Sequence, residues 1–169
     1  MSISRPDTQR LAAEIDLAFP IEEMPPGREL PFQTLDHFEA EHLVNDLEHF
    51  RGRPVDGAAI RLVHQEMSHL SAKGWRWILP HYLRFCLTAE AEYNRMETEF
   101  LIYSLGPDLP FQRDTLQRLS LLTAVQIECL VHFLEWCFAD EYWRNYCPNQ
   151  ITKAMDFLRA SLASGRFSR

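Results

Sequence analysis

Two glutamate–histidine pairs have the spacing of helical metal ligands. Glu39 and His42 form the first pair, and Glu66 and His69 form the second. Residues three apart in a helix lie on one face, so each pair could present a carboxylate and an imidazole to one ion. Two such pairs, with a glutamate from each of two further helices, make the ligand set of di-iron carboxylate proteins. One alternative for this chain is therefore a metal-dependent helical enzyme.

The chain around the first pair argues against that alternative. Di-iron bundles use long continuous helices, whereas the segment with Glu39 and His42 is short and is ended by RGRP at 51–54. Many other acids and histidines share these segments, so two matches by accident are expected. The further carboxylates would have to come from Glu97, Glu99, Glu128 or Glu135. We therefore expect no metal site and no cofactor.

No other motif in the sequence indicates catalysis. HExxH, GxSxG, GxGxxG and the phosphate-binding GxxxxGK[ST] do not occur. The four cysteines form no CxxC pair, and we expect them to be buried, reduced thiols in a reducing compartment. They are Cys86, Cys129, Cys137 and Cys147. We therefore expect a protein that is not an enzyme and has no catalytic residues.

The net charge of −7 is concentrated in the first third of the chain. Residues 1–60 contain 12 acids and 5 bases, whereas residues 61–169 contain 12 of each. An acidic region repels nucleic acid and favours a basic partner. The alternative is a solvated face that only keeps the protein soluble.

Aromatic residues cluster at two places, and the same question applies to both: core or binding surface. In SAKGWRWILPHYLRF, residues 71–85, the rings flank Pro80 on two sides, which favours a central core element. In ADEYWRNY, residues 139–146, polar neighbours leave open that Trp143 or Tyr146 anchors an interface.

The apolar spacing predicts an all-α fold, a single compact domain of about six to seven short helices over residues 1–169. A proline-rich loop over 20–33 and a tail over 164–169 complete it. Thr34, Asp56 and Thr123 are predicted helix N-caps, the last in a capping box with Gln126.

The residues around Pro80 carry three further expectations. Gly74 is predicted to end the preceding helix, and Pro80 to begin a new one. Trp75 and Trp77 are then expected on opposite sides of an extended segment. The sequence contains no membrane span and no secretory signal, so we expect a cytoplasmic protein without a membrane partner.

The stretch GWRWILPHYLRF resembles the centre of a family of small uncharacterised bacterial proteins, which reads roughly G-F-R-F-Y-L-P-A-Y-L. EFLIYSLGP and RLSLLTAVQIECLVHFLEW follow in the family's order. The matching central residues are Gly74, Trp75, Arg76, Trp77, Leu79, Pro80, Tyr82 and Leu83. The resemblance covers about 8–145. It supplies no catalytic residues, and it suggests accessory proteins encoded beside secreted toxins.

Together these observations predict a non-enzymatic binding protein, specifically an immunity protein that blocks the basic active-site cleft of a bacterial toxin. The toxin would act on NAD or nucleic acid. The predicted contact residues are Glu22, Glu23, Asp36, Glu39, Glu41, Asp46 and Glu48, with Trp143 and Tyr146 as a rival surface. The alternatives are the di-iron-like enzyme and a homodimeric regulatory or scaffold protein.

Overall fold

A computed structural model describes residues 8–33 and 36–168 of the chain. Within these residues ten α-helices occur, and the only β-bridge joins Pro31 to Leu70. The helices are α1 (Thr8–Ala18), α2 (Phe38–Glu48), α3 (Gly57–His64), α4 (Ala72–Cys86), α5 (Ala89–Asn94), α6 (Met96–Leu105), α7 (Gln112–Leu119), α8 (Ala124–Ala139), α9 (Glu141–Tyr146) and α10 (Pro148–Ala163). The all-α prediction is confirmed, but there are more helices than the six to seven predicted.

Two helix boundaries that contain neither glycine nor proline account for part of the additional helices. Arg95 adopts a left-handed conformation, with φ of 64°, and separates α5 from α6. Asp140 ends α8, and its carboxylate accepts hydrogen bonds from the backbone N–H groups of Tyr142 and Trp143 to start α9. Arginine gives no signal for the first break, and aspartate, although a common N-cap, does not by itself separate α8 from α9.

The predictions about Gly74 and Pro80 are wrong. Helix α4 runs without interruption from Ala72 to Cys86 and contains both residues. Pro80 removes one helical hydrogen bond, but the helix is buried on most sides, and this burial outweighs the local cost. Gly74 instead allows a close approach, because a β-carbon there would lie 3.1 Å from the carbonyl oxygen of Leu30.

The predicted caps agree with the structure where it can be compared. The side chain of Asp56 accepts a hydrogen bond from the backbone N–H of Ala59. Thr123 and Gln126 form both hydrogen bonds of the capping box at the start of α8. Thr34 lies outside the described residues.

The core forms around α8, which packs against α1 and α10, while α6 packs on α10 and α4 packs on α1 and α7. The prediction that the 71–85 rings belong to the core is confirmed, since Trp75, Trp77, Tyr82 and Phe85 are all buried. The four cysteines are also buried and free of disulfides. In the described part of the chain, no helix has the length and apolar character to cross a bilayer.

Candidate functional site

Four of the predicted contact residues lie on α2, in two rows. Ala40, Leu43 and Leu47 face the core. Because successive residues of a helix turn by about 100°, Glu39 and Asp46 fall on one flank of the exposed face. Glu41 and Glu48 fall on the other flank. The helix therefore presents acids along both edges of its outer surface.

Between these rows, α2 exposes an aromatic side chain. Phe38 is 73% exposed, and its ring meets the His42 ring edge to face with centroids 4.3 Å apart. Aromatic rings are enriched at protein interfaces, so this exposed ring with polar neighbours is a candidate anchor for a partner. We call Phe38, His42 and the two flanking acid rows the α2 surface.

Two other predicted contact residues, Glu22 and Glu23, lie near the C-terminal end of α2, where Arg51 binds Glu48. The guanidinium of Arg51 binds both oxygens of Glu48 and donates hydrogen bonds to the carbonyls of Met24 and Pro25. These contacts fasten the proline-rich loop to α2. Glu22 and Glu23 of that loop line the same shallow cleft as Arg51. The hydrogen bond from Arg51 lowers the pKa of Glu48.

Much of the acid excess is balanced by bases from later in the chain. Glu22 pairs with Arg76 at 2.5 Å, Glu29 with Lys73 at 2.8 Å and Asp16 with Arg84 at 2.6 Å. The paired acids therefore contribute less to the external field than their number suggests. Glu23, Glu41 and Asp46 have no base within the 4.0 Å salt-bridge distance in the described residues. Asp36 lies just before α2 and is exposed. It interacts with another group of the chain.

The two glutamate–histidine pairs do not assemble a metal site. Glu39 Oε2 lies 3.7 Å from His69 Nδ1, so the glutamate of the first pair contacts the histidine of the second pair. His42 instead packs against Phe38. Across residues 8–33 and 36–168, no group of three or more His, Cys, Asp or Glu side chains is placed to hold a metal ion. The ligand set of a di-iron centre is therefore not brought together there.

The rival aromatic surface on α9 is only partly exposed. Trp143 is 4% exposed, so its side chain belongs to the core and is not available to a partner. Tyr146 is exposed, stacks on Tyr142 and donates its hydroxyl hydrogen to Glu99. Helix α9 packs on α8 and α10, whereas α2 packs on the 3-10 turns at 27–29 and 67–69. The two predicted surfaces are built on different elements.

One feature of the structure was not predicted from the sequence. A cleft of about 560 Å³ lies among the ends of α6, α7 and α10 and the chain at 32–33, and Arg118 lines it. Arg118 is not among the predicted contact residues. The environment of Arg118 comes from residues distant in sequence, so no local pattern could have revealed it.

The comparison with protein families gives a match to the middle of the chain. Residues 55–146 match a family of unknown function (DUF6714). The chain belongs to this family. Neither a curated protein nor a solved structure matches the chain.

The DUF6714 match includes most of one candidate region, the Arg118 cleft, and does not include the other, the α2 surface. DUF6714 covers α3 to α9, including the GWRWILPHYLRF stretch and Arg118. Helix α2 and the proline-rich loop precede the segment. The α2 surface is therefore a feature outside the DUF6714 match, whereas most of the Arg118 cleft lies within it.

Proposed function

We propose that the protein is a non-enzymatic binding protein whose α2 surface docks onto a basic site of a protein partner. The observation that carries this proposal is the exposed Phe38 ring between two rows of acids. The ring supplies apolar contact area, and the acids steer a basic partner towards it.

The partner that fits this chemistry best is a toxin with a basic cleft for a phosphate-bearing substrate such as NAD or nucleic acid. Carboxylates inserted in such a cleft compete with the substrate phosphates. The immunity role extends the expectation, drawn from the sequence resemblance, of an accessory protein encoded beside a secreted toxin. Such a protein would act in the cytoplasm of the producing cell.

The first experiment is capture of the partner from the native host, with the tagged protein expressed together with its neighbouring genes. A toxin domain that co-purifies in stoichiometric amount, and whose toxicity the protein relieves, supports the proposal. A partner without toxicity would retain the binding role and reject the immunity role.

The second experiment measures whether the α2 surface makes the contact. The triple variant Glu39→Gln, Glu41→Gln, Asp46→Asn removes three acids from α2. Its matched control, Glu128→Gln, Glu141→Gln, Asp156→Asn, removes the same residue types from exposed positions on α8, α9 and α10. The two variants have the same net charge.

We expect the α2 variant to associate about tenfold more slowly with the captured partner at low salt, because the acids act mainly on encounter. The control should associate at nearly the parental rate, and the difference should shrink as salt is added. Surface plasmon resonance gives both rates. Equal slowing in the two variants would mean that only net charge matters and would reject the α2 surface as the contact.

A further inference from the structure

The Arg118 cleft has the size and lining of a small-molecule site. Its volume of about 560 Å³ lies within the range of roughly 300–1,000 Å³ typical of ligand pockets. Phe32, Trp75, Tyr103 and Phe111 contribute aromatic rings to its walls. Tyr103 is 49% exposed and Phe111 is 60% exposed, so two of these rings are accessible from solvent. The cleft can therefore take a flat, largely apolar molecule.

Arg118 is held in place by two contacts. Its Nη2 donates a hydrogen bond of 2.6 Å to the carbonyl oxygen of Ser68, and its guanidinium carbon lies 4.3 Å from the centroid of the Phe32 ring. The side chain is therefore oriented before any ligand arrives. A fixed guanidinium loses less conformational entropy on binding an anion than a free one does.

In the part of the chain that the structure describes, no carboxylate forms an ion pair with this guanidinium. Arg76 and Arg159 each have a glutamate oxygen within 2.6 Å, whereas Arg118 has no acid within the 4.0 Å salt-bridge distance among the described residues. Its Nε is buried without a hydrogen-bond partner. Burial lowers the pKa of Arg118, and the charge of Asp114 opposes that shift. A partly buried cation without an ion-pair partner costs free energy that a bound anion would offset.

The other charges of the cleft limit the ligand to a single negative charge. Lys153 forms an ion pair with Asp108, and Asp114 lies one turn before Arg118 on α7. With these two acids and two bases the lining is close to neutral, which disfavours a doubly charged phosphate. A carboxylate carries one charge and matches the planar fork of arginine.

We propose that this cleft binds a small organic monocarboxylate with a flat apolar body, its carboxylate on the remaining N–H groups of Arg118 and its body against Tyr103 and Phe111. This site is distinct from the proposed protein contact on α2. Each can be tested while the other fails, because the experiments use different variants and different readouts.

The test compares 2-naphthoate with 2-naphthalenemethanol, which keeps the rings but has no charge. Each is titrated into the full-length ¹⁵N-labelled protein, and amide shifts are followed by NMR. We expect 2-naphthoate to bind saturably, to perturb amides of residues 103–118, and to bind at least about tenfold more tightly than the alcohol. Equal affinity for the two probes, shifts confined to other parts of the chain, or no saturable binding would each overturn the proposal.

Variants on α7 assign the effect to Arg118. Arg118→Gln should weaken 2-naphthoate at least about tenfold and leave the alcohol unchanged. Arg113→Gln, an exposed arginine of the same helix, is the matched control and should bind as the parent does. If Arg118→Gln does not fold, Arg118→Lys retains the charge without the planar fork, and the same titration should show weaker binding. Unchanged 2-naphthoate affinity in a folded Arg118 variant would refute the assignment.

Discussion

Arg95 has a backbone conformation that its residue type disfavours. With φ of 64° it lies in the left-handed region, where a β-carbon costs about 1 kcal/mol and glycine costs nothing. Its guanidinium carbon lies 3.6 Å from the centroid of the Tyr142 ring, a cation–π contact that ties the α5–α6 junction to α9. Arg95 therefore makes this cation–π contact from a strained backbone conformation. No sequence rule predicts that conformation for an arginine.

Two truncations separate the strain from the contact. Arg95→Gly and Arg95→Ala both remove the guanidinium, so their difference reports only the backbone preference. We expect the glycine variant to be more stable by about 1 kcal/mol in urea unfolding, because only glycine adopts this conformation without cost. At Gln117, an exposed position within α7, the alanine variant should instead be more stable than the glycine variant. An alanine variant at 95 as stable as the glycine variant would contradict the left-handed assignment.

Residues whose role depends on near neighbours could be predicted, and those that depend on distant ones could not. The sequence predicts Asp56 as a cap because its partner is three residues away. The sequence does not single out Arg118, because the groups that hold it, Ser68 and Phe32, are brought to it only by the fold. The acids of α2 were found by composition, but their pairing with later bases was not visible in the sequence.

At the scale of the elements, the N-terminus of α8 is capped locally and is also joined to α1. Gln126 Oε1 accepts a hydrogen bond of 3.0 Å from the backbone N–H of Thr123, which completes the capping box. Gln126 Nε2 also donates a hydrogen bond of 3.1 Å to the carbonyl of Ala18, at the end of α1. One side chain therefore caps α8 and joins it to α1.

Thr123→Ala should lower the free energy of unfolding by about 1 kcal/mol, the usual loss for a missing N-cap. Thr123→Ser keeps the hydroxyl and should remain close to the parent. Gln126→Ala should cost more than Thr123→Ala, because it also leaves the Ala18 carbonyl without its partner. Urea unfolding followed by circular dichroism measures all three. A serine variant as unstable as the alanine variant would show that the hydroxyl is not what stabilises the junction.

Helix α4 shows where local rules fail for an element. Proline and glycine usually end helices, yet α4 contains Gly74 and Pro80 and continues past both. The rings of Trp75 and Tyr82, seven residues apart, are buried on one side of it, and the ring of Trp77 is buried on the opposite side. Their burial contributes several kcal/mol, more than the hydrogen bond that proline removes. A rule based on residue type alone counts only the lost hydrogen bond and not the burial of the rings.

At the scale of the whole molecule, the buried thiols link stability to pH. Burial raises the pKa of Cys86 to about 12 and that of Cys129 to about 12, and it raises the pKa of Cys137 well above the usual value. In the unfolded chain these thiols lose their protons near pH 8.5. The folded state thus retains protons that the unfolded state has released, and this favours unfolding at alkaline pH.

The stabilisation by protonated thiols is therefore complete below about pH 8.5 and is lost as the pH rises towards the folded pKa values. Each buried thiol should lower the free energy of unfolding by about 1.4 kcal/mol per pH unit in that window. Urea unfolding between roughly pH 8 and 10 measures the slope. Cys86→Ala removes one titrating thiol and should give a shallower slope than the parent, even though its stability at neutral pH is lower. Parallel slopes for the two proteins would show that the Cys86 thiol does not supply the pH dependence.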